Sequence, residues 1–139
     1  MNKSQFDSKP STLINEGRTL LLTFDVEEKQ VVAQTSTSEE STETEAETKT
    51  VYEAYSVRVS QPISRESIIS TIVEAAYPQD KMQAIINNHL INLATTQDGG
   101  TLDDDEQEHE AEYKAMQEWR TLAKQTATEA MEAYRASFN

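Results

Sequence analysis

The apolar residues of this 139-residue chain change their period once, at Pro62. Upstream, Leu20, Leu22, Phe24 and Val26 alternate with Thr23 and Asp25, and Val51, Tyr55, Val57 and Val59 share one face of a segment whose other face carries Tyr52, Ala54, Ser56 and Arg58. A two-residue period marks strands with one buried side. Downstream, Ile68, Ile69, Ile72, Val73 and Ala76 recur at three- and four-residue intervals, as do Met82, Ile85, Ile86, His89, Leu90 and Leu93. That spacing marks helices.

The punctuation fits. Ser64 is placed to cap the first helix, with Glu66 in its first turn, and Pro78 closes that helix and opens the next. The Gly99-Gly100 pair stops the second helix. A third begins near Leu102 or Asp103 with a run of acids, carries Lys114, Arg120, Lys124 and Arg135 later, and so complements a helix macrodipole. Its stripe is Tyr113, Met116, Trp119 or Arg120, Ala123, Ala127, Ala130, Met131 and Tyr134. Unbroken to about residue 137, it spans roughly 50 Å.

Two strand details are expected upstream of Pro62. Gln30 to Gln34 can pair back on residues 19–26 across Glu27-Glu28-Lys29, which lacks the Asn-Gly or Asp-Gly signal of a tight hairpin. Residues 1–18 are polar, with isolated apolar side chains, and read as a flexible arm. Residues 35–50 hold nine Ser/Thr and five Glu and read as an acidic low-complexity loop. The expected fold class is α+β. Residues 19–139 form a single domain: a small antiparallel sheet of about three strands, packed with two short helices and one long C-terminal helix.

Charge narrows the function. The chain has 12 basic and 25 acidic residues, a formal net charge of -13. Basic and acidic residues number 5 and 10 in 1–50, 3 and 4 in 51–97, and 4 and 11 in 98–139, so the flanks carry the acidity. Such a surface repels phosphate backbones and anionic lipid, and direct nucleic-acid or membrane binding is not expected. The longest early apolar run, Leu20 to Leu22, is far shorter than a signal or spanning segment, so cytoplasmic assembly is expected, with the virion as a second location.

No catalytic pattern emerges. Zero cysteine excludes disulfides, thiolate nucleophiles and Cys-type metal sites. His109-Glu110 opens like HExxH, but residue 113 is Tyr, and His109 reads as a solvated side chain, His89 as a packed or rim histidine. The acids from Asp98 to Glu112 lack the order of a calcium loop. No nucleophile elbow, P-loop or dinucleotide glycine motif is present, so neither an enzyme nor a cofactor is expected.

Aromatic and apolar anchors without a basic groove point to protein contacts. The interface candidates are Leu20, Leu22, Phe24, Tyr52, Tyr55, Val57, Tyr113, Met116, Trp119 and Tyr134. Burial is expected for Tyr55, Val57, Ile69, Ile72, Ile86, Leu90, Trp119 and Ala123. The partners expected are other protein subunits, including further copies of the chain. The other functional class open to so acidic a protein is a DNA-mimic inhibitor or regulatory protein, with carboxylates of residues 39–47 and 103–112 occupying a basic partner's phosphate sites.

The run Tyr52-Glu-Ala-Tyr55-Ser-Val-Arg-Val59, continuing through Pro62, Arg65, Ile68-Ile69 and Ala76-Tyr77, resembles small uncharacterised proteins encoded among structural genes of Bacteroides-type phages and prophages. The resemblance covers residues 51–77 and, more loosely, the Tyr113 to Tyr134 helix. It implies a virion or assembly context for a non-enzymatic structural protein, and it carries no catalytic motif.

Overall fold

A computed structural model describes residues 1–32 and 48–137 of the chain. Four strands, β1 (Ser4–Phe6), β2 (Leu13–Asn15), β3 (Thr19–Val32) and β4 (Thr48–Ser60), precede three helices, α1 (Arg65–Ala76), α2 (Gln79–Gln97) and α3 (Asp104–Ser137). The strands form one antiparallel sheet in the order β1-β4-β3-β2. The fold is α+β, with the long helix at the C-terminal end, and strands give way to helices at Pro62.

The sheet differs from the expected one in three places. Residues 1–18 are not only an arm: they supply both edge strands, β1 against β4 and β2 against β3. Edge strands of three residues need backbone partners more than an apolar pattern, and Leu13 packs on the core. Second, no turn forms at Glu27-Glu28-Lys29, and β3 runs straight through to Val32 in register with β4. Third, the alternation slips at a bulge between Phe24 and Glu27, where Asp25 adopts φ 53°. Asp tolerates this left-handed conformation better than most residues. The extra residue changes which side chains share the face, so Val26 leaves the apolar row and is exposed. Thr48–Thr50 of the acidic segment belong to β4, and the rest of that segment lies outside the described residues.

The helix boundaries follow the capping chemistry. Ser64 and Ser67 form a reciprocal capping box at the start of α1. Asp103 and Glu106 do the same for α3, each side chain accepting from the other's backbone N–H. Gly99, at φ 82°, ends α2, its N–H donating to the Thr96 carbonyl.

The core lies between the sheet and the helices. Leu20, Leu22 and Phe24 of β3 and Val57 and Val59 of β4 meet Ile68, Ile72 and Val73 of α1 and the small residues Ala123, Ala127 and Ala130 of α3. Those alanines let α3 approach closely while it packs on both other helices. Trp119 joins three elements: its indole Nε1–H donates to the Ile72 carbonyl at 2.9 Å, and its ring contacts Phe24 and Tyr55 at 6.0 and 4.9 Å between centroids. Leu90, expected in the core, is 56% exposed instead. It lies on the side of α2 opposite buried Ile85 and Asn92.

Close packing along the alanine seam gives a direct test. Ala127→Leu should overfill the α3 contact and lower stability by about 1–3 kcal/mol, read as a fall in the urea midpoint. Lys124→Leu, on the exposed side of the same helix, should stay within about 0.5 kcal/mol.

Candidate functional site

Among the described residues, two clusters of ionisable side chains and several surface recesses bring chemical groups together. The first cluster is built by α2 and α3. The Glu110 carboxylate accepts from His89 Nδ1 at 2.8 and 3.1 Å, and the imidazole stacks on Tyr113 with centroids 3.7 Å apart and planes 4° from parallel. An ionised carboxylate can only accept, so Nδ1 carries the proton and Nε2 is the remaining nitrogen. One turn further along α2, buried Asn92 donates from its amide to the Glu106 carbonyl. The group is a polar clasp between two helices. No hydroxyl nucleophile is hydrogen-bonded to His89 among the described residues, nor are three His, Asp or Glu side chains grouped there to hold a metal ion.

The second cluster surrounds the β3 bulge. Lys3 Nζ lies 3.1 Å from Asp25, 3.2 Å from Glu27 and 5.1 Å from the centre of the Tyr55 ring, with its side chain 12% exposed. Lys29 reaches Glu53 at 2.7 Å and Glu27 at 3.9 Å. Burial pulls the Lys3 ammonium toward a lower pKa, but the neighbouring carboxylates of Asp25 and Glu27 outweigh it and hold it above the usual lysine value of 10.5, as close ion pairs without hydrogen-bond geometry. Glu53 holds Lys29 above that value too. Lys3 immediately precedes β1, so its ion pairs tie the start of that strand to the bulge.

Of the recesses, one of about 520 Å³ lies between the start of α1 and the end of α3, with Arg65 and Arg135 offset by Glu66 and Glu132. Its charges balance, and Arg65 already donates to the Thr128 hydroxyl at 3.2 Å. Another, of about 330 Å³, is mostly polar and lies beside Thr23 and Thr126. A third, of about 400 Å³, opens between α1 and α2 over Ile69, Val73, Met82 and Ile86. This one is mostly apolar, with Glu74 and Arg120 also on its walls.

Most expected interface residues lie inside the single chain. Leu20, Leu22, Phe24, Val57 and Met116 are buried, and Tyr55, Trp119 and Tyr134 pack against the core from its margin. Tyr113 is covered on one face by His89, and Tyr52 sits in the sheet opposite Phe6 and Glu28. Large apolar side chains that do face outward include Leu90, Ile91 and Leu93 of α2, 56%, 62% and 40% exposed, and Met1, Ile14, Val26 and Val32 elsewhere. The sequence carries a signal for the α2 group: apolar residues of α2 occupy more than one side of the helix, more than a single buried stripe requires.

No protein-family model matches the chain, and no curated protein or solved structure matches it significantly.

The Lys3 cluster sets the sign of a pH effect. A lysine raised in the folded state contributes stability that is fully present below its unfolded pKa and is lost as pH rises through the folded one. The stability difference between wild type and Lys3→Met should therefore be constant at neutral pH and shrink above 10.5. Urea midpoints of both proteins across the alkaline range read this directly. At neutral pH, Asp25→Asn with Glu27→Gln should cost about 1–2 kcal/mol by leaving the ammonium without its counter-charges.

Proposed function

We propose that this chain is a non-enzymatic structural or assembly protein that works through protein–protein contacts, as an accessory component of a tailed-phage or prophage virion. The observation that carries the reading is the outward side of α2. Leu90 and Leu93, one turn apart, and Ile91, on a different side of the helix, expose large apolar side chains on a small protein of formal charge -13. Exposed apolar side chains on one helix of so acidic a chain support a contact surface. The virion context rests on the resemblance of residues 51–77.

The acidic start of α3 supports a phosphate-mimic reading less well. Within it, Glu106 is engaged with the Asp103 backbone and Glu110 with His89. The two readings predict opposite salt responses. Contacts between apolar faces are not screened by salt, whereas capture of a basic partner by carboxylates is.

Light scattering across a salt series, with circular dichroism on the same samples, tests the proposal. The expected result is a folded species whose mass is a multiple of 15.7 kDa and does not fall as salt is added. A compact, folded monomer at every salt and protein concentration would sink the self-assembling form of the proposal.

A further inference from the structure

Between Ile85 of α2 and Met116 of α3, the hairpin of the two helices has no apolar core. Among the described residues from 86 to 115, the one buried side chain is Asn92, a polar one. The contacts that join the helices there are polar too. The Asn92 amide donates to the Glu106 carbonyl, and His89 bonds the Glu110 carboxylate while its ring stacks on Tyr113. Further into the domain the character changes: Ile85 and Met116 are 4% and 0% exposed, and beyond them α3 carries the alanine seam.

Charge works against the same stretch. No Lys or Arg occurs between Lys81 and Lys114, whereas eight carboxylates fall between Asp98 and Glu112. The helix dipole favours the first-turn acids of α3, Asp104, Asp105 and Glu106. Past that turn the balance reverses. Asp104 with Glu108, Glu106 with Glu110, and Glu108 with Glu112 are like charges four residues apart, which disfavours the helix. Among the described residues, the one ion-pair contact from α2 to this group is His89 on Glu110.

We propose that residues 86–115 are a cooperative unit of their own, which unfolds and refolds while the rest of the domain stays folded, with His89 on Glu110 and Tyr113 as its latch. Local stability follows buried apolar contact, and an isolated helix of this length is marginal in water. Opening uncovers no fully buried apolar side chain, and the polar contacts it breaks are exchanged for bonds to water. The two helices open together because α2 packs mainly on α3. Leu90, Ile91 and Leu93 are carried on this unit, so they are presented on a helix only while the latch is shut.

Native-state hydrogen exchange of the full-length protein, followed in rising urea below the unfolding transition, tests this. Amides of Leu90 to Thr96 and of Glu108 to Tyr113 should converge on one opening. Its protection should be lower and its urea dependence shallower than those of amides from Ile68 to Val73 and from Ala123 to Ala130. Glu110→Ala, a change on α3, should speed exchange of the α2 amides by about fivefold, and His89→Ala should do the same to those of α3. Alanine is the strongest helix former and relieves repulsion from Glu106, so a purely local effect at position 110 would slow exchange instead. Amides of residues 90–96 and 108–113 that share the protection and urea dependence of the core overturn the proposal. So do two helices that open with different slopes, or α2 amides that ignore Glu110→Ala. If either variant unfolds the whole domain, the wild-type pattern decides.

Discussion

The sheet, α1 and α3 are held to one another at Trp119. Its indole bonds a helical carbonyl of α1, and its ring is wedged against Phe24 and Tyr55 of the two central strands. A buried aromatic contributes large apolar area, and its N–H must find an acceptor. Both needs are met at one point. From there the contacts run outward: Tyr55 lies under the Lys3 ammonium, Lys3 holds the bulge carboxylates, and the bulge sets which residues of β3 face the helices. Along α3, the alanine seam sets the distance at which that tryptophan can reach.

Legibility in the sequence followed how local each determinant was. The helices were readable because Ser64, Pro78, Gly99 and the acids after Leu102 are caps and breakers acting within a turn. Alternation, also local, put Leu20, Leu22, Phe24, Val57 and Val59 on a buried face, but Thr23 and Ala54, read onto the opposite face, are buried as well. It failed at Asp25, since a bulge is fixed by the partner strand and by Lys3, neither of which is near it in sequence. The edge strands were hidden for the same reason: Ser4–Phe6 and Leu13–Asn15 carry little pattern and are defined by backbone pairing with distant residues. Apolar residues at strand and helix spacing were correctly located as patterned, but spacing alone does not say whether they bury in one chain or between two. Leu22 and Met116 went inward, whereas Leu90 stands outward on the side of α2 opposite Ile85 and Asn92.

Acidity and apolar exposure are therefore segregated rather than mixed. The carboxylates gather at the start of α3, whereas α2 from Met82 to Gln97 has no Asp, Glu, Lys or Arg. Between two such acidic surfaces, repulsion is weakest along that strip. The polar clasp of His89, Glu110 and Tyr113 helps keep that strip oriented, because it locks the inner side of α2 onto α3.

The bulge at Asp25 also divides the β3–β4 ribbon into two halves of different character. On one side the ladder is roofed by α1 and α3. On the other, from Glu27 to Val32, it is held by exposed pairs such as Lys29 with Glu53 and Gln30 with Thr50. Local opening costs little where few apolar contacts are lost. Amides from Glu27 to Val32 should therefore exchange faster than those beside Leu22 and Val57, except where opening would uncover Val51, which is buried opposite Lys29. The change of character falls at a single aspartate with a left-handed backbone.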